Sequence, residues 1–106
     1  MDIGEIKLKS LELRKLLKRN NIRPDMIILF GSHANGTARE DSDIDVAIVS
    51  RDLGKNRFKE GSFLNLLASQ IDPIMEVIPI GLKQYLDNEN ISPILYEVKN
   101  KGIVLF

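Results

Sequence analysis

Asp43, Asp45 and Glu76 are the acids of this chain whose placing could do chemistry. Asp43-Ile44-Asp45 opens an apolar run that continues to Val49. In a strand, residues i and i+2 share a face, so the two Asp side chains point the same way with Cα atoms roughly 6.5–7 Å apart. Ile44 then faces a core. Two carboxylates aimed together repel unless a positive charge sits between them. Mg²⁺ suits such a pair, because it is commonly shared between one or two carboxylates and substrate phosphates. Upstream, the apolar run Met26–Phe30 ends in Gly31-Ser32, and ten residues separate Ser32 from Asp43. Gly31 lets the backbone turn sharply and a ligand approach it. A helix beginning at Ser32 presents free N–H groups and its dipole to an anion. The Ser32 hydroxyl can cap that helix or reach a phosphate oxygen. Asn35 and Gly36 suit the turn that follows.

Glu76 interrupts the otherwise apolar run Ile74–Ile78. A carboxylate in a buried strand is costly unless it is paired or binds metal; the plainer alternative is an edge strand with Glu76 facing water. Asp72 is a reserve candidate at the break before that strand. Arg39 lies between Gly31-Ser32 and the Asp pair, where it reaches either a phosphate or solvent. His33 is read as a variable residue at the pocket mouth.

Gly-Ser-His-Ala-Asn-Gly followed by Ser-Asp-Ile-Asp resembles the signature of the DNA polymerase β-type nucleotidyltransferases. More narrowly, it resembles the minimal nucleotidyltransferase (MNT) proteins, many of them antitoxins paired with HEPN toxins. Gly31, Ser32, Ala34, Gly36, Ser42, Asp43, Ile44 and Asp45 carry the match at the family's spacing. The resemblance implies an α/β fold, a small mixed β-sheet with helices packed on it. It also implies that an acid on the third strand, Glu76 here, completes the metal site. Asp43 and Asp45 then hold two Mg²⁺ ions, which in such sites lie about 3.5–4 Å apart. Glu76 shares one ion and helps deprotonate the attacking hydroxyl. Gly31 and Ser32, with Ser42 and Arg39 nearby, bind the nucleotide. The implied reaction transfers AMP from ATP.

Three readings stay open on sequence: an active antitoxin that adenylylates a HEPN-type toxin, a contact-only antitoxin, and a small-molecule (aminoglycoside-type) nucleotidyltransferase needing a partner subunit. Little chain follows the third strand, so the acceptor is expected to come from another protein. A homo-oligomer is compatible with the sequence.

The elements that position these residues follow from patterning. Ile3–Asn20 reads as an amphipathic helix with Ile3, Ile6, Leu13, Leu16 and Leu17 on one stripe. Leu8 and Leu11 fall nearly opposite. Residues 1–23 carry seven Lys/Arg and three acids, which make either a solvated basic face or a docking face. Strands are expected over Met26–Phe30, Ile44–Val49 and Ile74–Ile78, with Asp43 and Asp45 on the middle strand. Arg51–Lys59 reads as a charged loop, and Gly61–Gln70 as a helix broken by Asp72-Pro73. A short helix is expected over Gly81–Asn88. A last helix opens at Ser92-Pro93 and runs to Lys99, with Gly102 beyond its end. Ile103–Phe106 reads as a closing strand.

With 106 residues, 43% of them hydrophobic, one domain is expected over 1–106, with a folded surface of about 6,000 Å². Zero formal net charge gives no overall pull towards nucleic acid or a membrane. The absence of cysteine and the single histidine exclude disulfides, thiol catalysis and a multi-histidine zinc centre. No signal-peptide pattern opens the chain, and no apolar run approaches the ~20 residues of a membrane span. The expected location is the cytoplasm.

Overall fold

The computed structural model describes residues 1–106. In chain order the elements are α1 (Ile3–Arg19), β1 (Met26–Phe30), α2 (Ser32–Asn35), β2 (Ile44–Ser50), α3 (Arg57–Ser69), β3 (Met75–Gly81), α4 (Leu82–Leu86), α5 (Pro93–Lys101) and β4 (Ile103–Val104). The strands form one sheet in the order β3-β2-β1-β4. β1 runs antiparallel to β2 and β4, and β2 runs parallel to β3. The mixed α/β architecture expected from the sequence is the observed one.

The sheet is apolar on both faces, which gives it two cores. Ile27, Leu29, Ile44, Val46, Ile48 and Val77 pack with Leu13 and Leu17 of α1 and Leu64 and Leu67 of α3. Ile28, Phe30, Ala47, Val49 and Ile80 pack with Leu95 and Val98 of α5. Strand alternation puts Asp45 and Glu76 on this second face, beyond the edge of its apolar patch. The accessible surface is 6414 Å², close to the value expected from chain length.

Asp2 caps α1, accepting from the Glu5 N–H at 2.9 Å, and Lys18 and Arg19 occupy its last turn. Its buried line is Ile6, Ser10, Leu13 and Leu17. Ile3, expected in that line, is about half exposed in the first turn, and Leu8 is 66% exposed. No helix is long and apolar enough to cross a membrane.

β2 begins at Ile44 as expected, but Asp43, expected on that strand, lies in the preceding loop; the parallel ladder starts only at Ile44 and Met75. β3 runs on to Gly81, past the expected end at Ile78, so the following helix starts at Leu82 rather than Gly81. α3 begins at Arg57 rather than Gly61. Asn56 caps it through the Lys59 N–H at 3.1 Å. The Glu60 carboxylate gathers the N–H groups of Gly54, Lys55 and Asn56, so the charged residues taken for loop close into a helix start.

The end of the sheet away from Asp45 is pinned by two ion pairs. Arg23 meets Asp52 and Arg51 meets Asp25, each at 2.7 Å. Ser50 adds a 2.7 Å hydrogen bond from its hydroxyl to the Arg23 carbonyl. Entry to β1 and exit from β2 are thereby tied together, which fixes the register that carries Asp45.

Candidate metal and nucleotide site

Phe30, Asp45 and Glu76 form one register row across β1, β2 and β3. Gly31 follows Phe30 and takes φ 74°, a conformation that favours glycine. A β-carbon at Gly31 would collide with the Asp45 carboxylate. The glycine is therefore needed twice, for the turn and for the closeness of Asp45 to the backbone.

Gly31 occupies the cap position of α2, and no side chain caps that helix. The helix begins at Ser32 as expected, with Gly31 rather than Ser32 in the cap position, so of the two roles offered for the Ser32 hydroxyl capping is not the observed one. The Gly31 carbonyl accepts from Ala34 and Asn35, while the N–H groups of Ser32 and His33 have no partner within the helix. Gly36, at φ 75°, ends α2. The helix start thus presents donors next to a carboxylate.

Asp45 is half-buried, and its carboxyl is pushed up to about 6. Burial is the largest cause. The charges of Glu76 and Asp43, a hydrogen bond shared with Glu76, and the charge of Glu97 on α5 add to it. Glu76 therefore sits close enough to share a proton with Asp45, and its charge opposes the ionisation of Asp45.

A hard cation fits that pair. Two carboxylates in register, one of them half-buried, offer hard oxygen donors to a divalent ion, and the α2 start presents unpaired N–H groups beside them. No three Asp, Glu or His side chains converge on one point. Asp43 is exposed in its loop and lines a shallow hollow with Glu76. The fit is thus to a metal held by Asp45 and Glu76 and completed by substrate oxygens, the usual way Mg²⁺ binds, rather than to an all-protein cage.

The remaining sequence candidates separate. The Ser42 hydroxyl accepts from the Arg39 N–H at 2.7 Å and locks the turn before β2. Arg39 is exposed. His33 Nε2 lies 3.3 Å from the Ser42 carbonyl, tying α2 to that turn. Asp72 pairs with Lys9 at 2.9 Å and accepts from the Ile74 N–H, so the reserve candidate is structural. Sequence reasoning missed Glu97, which α5 carries to the Asp45 face. It also missed Asn65, whose side chain bonds the Val77 N–H and carbonyl, both at 2.8 Å. A polar residue inside the apolar run of α3 was the one available signal for Asn65.

Comparison with known proteins gives the family. The family model described as polymerase beta, nucleotidyltransferase, matches residues 12–106. "Putative protein adenylyltransferase MJ1305" of Methanocaldococcus jannaschii is 39% identical over 77 residues, covering 73% of this chain and 44% of its own length. Protein adenylyltransferase MntA of Shewanella oneidensis is 32% identical over 73 residues, covering 69% of this chain and 52% of its own. The chain thus spans about half the length of these curated relatives. A crystal structure of a toxin–antitoxin with AMP-PNP aligns at TM-score 0.60 and 28% identity, over 94% of this chain and 72% of the other. That of the toxin–antitoxin MntA–HepT aligns at TM-score 0.57 and 28% identity, over 93% and 70%. With the family model covering nearly all of its length, this chain belongs to the polymerase beta nucleotidyltransferase family.

Proposed function

We propose that this protein transfers AMP from ATP to a hydroxyl, most simply a tyrosine, of a partner protein, and that it acts in the cytoplasm as the antitoxin of a HEPN-type toxin. The carrying observation is the Asp45–Glu76 carboxyl pair lying in register beside the Gly31 turn. The names of the relatives and of the aligned complexes support the same reading.

Asp45 and Glu76, with Asp43 beside them, would hold up to two Mg²⁺ ions. When bound, the metal neutralises phosphate charge and makes the α-phosphorus easier to attack. The chain's residues do the rest by positioning. The N–H groups at Gly31–Ser32 face the β- and γ-phosphates. The acceptor oxygen forms a bond to the α-phosphorus, the bond to the β-phosphate oxygen breaks, and pyrophosphate leaves. The hydroxyl proton passes to the Glu76 carboxylate and on to water.

Mass spectrometry tests this. Incubation of the partner toxin with this protein, ATP and Mg²⁺ is expected to add one adenylyl group to the toxin, and Asp45→Asn to add none. Neutralisation without adenylylation, equal in wild type and Asp43→Ala, would replace transfer with a contact-only antitoxin.

A further inference from the structure

β3 is an edge strand, and an open groove of about 670 Å³ runs between it and α3. Arg57, Phe58, Asn65, Glu76 and Pro79 line it. Phe58 is 83% exposed, and its ring is the largest apolar surface offered to solvent there. Arg57 has no ion-pair partner. Glu76 is shared between this groove and the candidate site.

The edge is closed to strand addition. Alternate residues of a strand point their N–H and C=O groups to the same side. Val77 points outward, because its N–H and carbonyl are both held by Asn65. The outward N–H one step earlier, at Met75, bonds the Asp72 carbonyl at 3.1 Å. One step later stands Pro79, which has no N–H. An occupant must therefore be recognised through side chains.

Direction follows from the row Phe30–Asp45–Glu76, with Gly31 next after Phe30. An in-line displacement sets entering and leaving oxygens on opposite sides of the phosphorus. With the leaving pyrophosphate at Gly31–Ser32, on the β1 side of Asp45, the entering hydroxyl approaches from the β3 side. That is the side where the groove opens on Glu76.

Resting on the function proposed above, we propose that the α3–β3 groove docks the acceptor segment, an extended protein segment carrying a tyrosine next to acidic residues. The tyrosine ring packs against Phe58 and Pro79, an acidic neighbour pairs with Arg57, and the phenol oxygen reaches Glu76. An aromatic ring in a groove and one charge pair are the usual anchors of such a contact.

The random copolymer poly(Glu,Tyr) supplies these features and serves as the acceptor probe, with labelled ATP and Mg²⁺. Phe58→Ala and Arg57→Glu are each expected to raise KM for the copolymer about ten-fold, the size of a lost anchor residue, with kcat little changed. Both substitutions fall on exposed side chains, and the melting-temperature rise with ATP and Mg²⁺ reports an intact nucleotide site in each. Amide NMR shifts on adding the copolymer are expected over Arg57–Asn65 and Glu76–Pro79 and not on α1. Unchanged KM in both variants, shifts confined to α1, or no transfer to the copolymer by protein that binds ATP would overturn the groove assignment. Loss of metal-dependent ATP binding in the wild type is a separate outcome that removes the nucleotide-site reading and the groove with it.

Discussion

Asp45 and Glu76 face each other in register on adjacent parallel strands, and the Asp45 carboxyl is raised to about 6 by burial and by the charge beside it. The native fold thus holds two carboxylates where one prefers to keep its proton. The unfolded chain releases that proton near the ordinary Asp value of about 3.9.

The sign of the pH effect follows. Between about pH 4 and 6 the native state binds more protons at Asp45 than the unfolded state, so this group lowers stability as pH rises through that window. Asp45→Asn is expected to raise the metal-free stability at pH 7.5 by about 1 kcal/mol once solvent screening is allowed for, and the melting temperature with it. Mg²⁺ competes with the proton, so its affinity is expected to climb as pH rises through 6. Melting curves from pH 4 to 8, with and without Mg²⁺, check both; a lower melting temperature for Asp45→Asn at pH 7.5 would contradict the strain.

Gly31→Ala is expected to damage the site beyond its cost in stability. The backbone at φ 74°, ψ −153° alone costs about 1–3 kcal/mol for a residue with a β-carbon, and that carbon drives the Asp45 carboxylate from its place. Calorimetric titration should find weaker ATP·Mg²⁺ binding at a temperature where the variant is folded. Unaltered affinity would separate Gly31 from the site.

Acid is expected to loosen the opposite end of the sheet first. Arg23 holds the Asp52 carboxyl well below the usual range, and Arg51 lowers that of Asp25. These depressed groups contribute stability that is present above about pH 4 and lost as pH falls further. Asp25→Asn with Asp52→Asn should flatten the melting-temperature decline below pH 4, and hydrogen exchange should show Met26 and Val49 opening early in the wild type.

Much of this was legible before any coordinates. The run Gly31-Ser32, then Asp43-Ile44-Asp45, fixed a turn between two strands because period-2 alternation admits few arrangements of those apolar residues. The isolation of Glu76 in an apolar run marked it as either paired or facing water on an edge strand, and the family resemblance placed it beside Asp45; it is exposed on edge strand β3, in register with Asp45. The start of α3 was missed because Glu60 gathers three backbone N–H groups, a capping device that charge pattern conceals. Glu97 was missed because only tertiary packing brings α5 to the Asp45 face. Asp43 was placed one residue too far into β2, since the ladder's first rung depends on where β3 begins.

Asn65→Leu should expose the edge that Asn65 now closes. It leaves the Val77 N–H and carbonyl unpaired, at a cost of about 1–3 kcal/mol, and it frees an edge strand for pairing. Analytical ultracentrifugation is expected to show association that rises with concentration beyond that of the wild type. A fully stable variant with wild-type behaviour would contradict the clamp.

Differential scanning with ATP and Mg²⁺ tests most directly the proposed metal-dependent nucleotide site at Asp45 and Glu76, with Asp43 beside them. Ligand that binds only the native state raises the melting temperature, by about 2.7 kcal/mol of stability at one hundred times Kd. The wild type is expected to gain this with ATP and Mg²⁺ together and to lose most of it with EDTA. Asp43→Asn with Asp45→Asn is expected to lose the metal-dependent part. An equal shift in the double variant, or no shift in the wild type at millimolar ATP and Mg²⁺, would contradict the account.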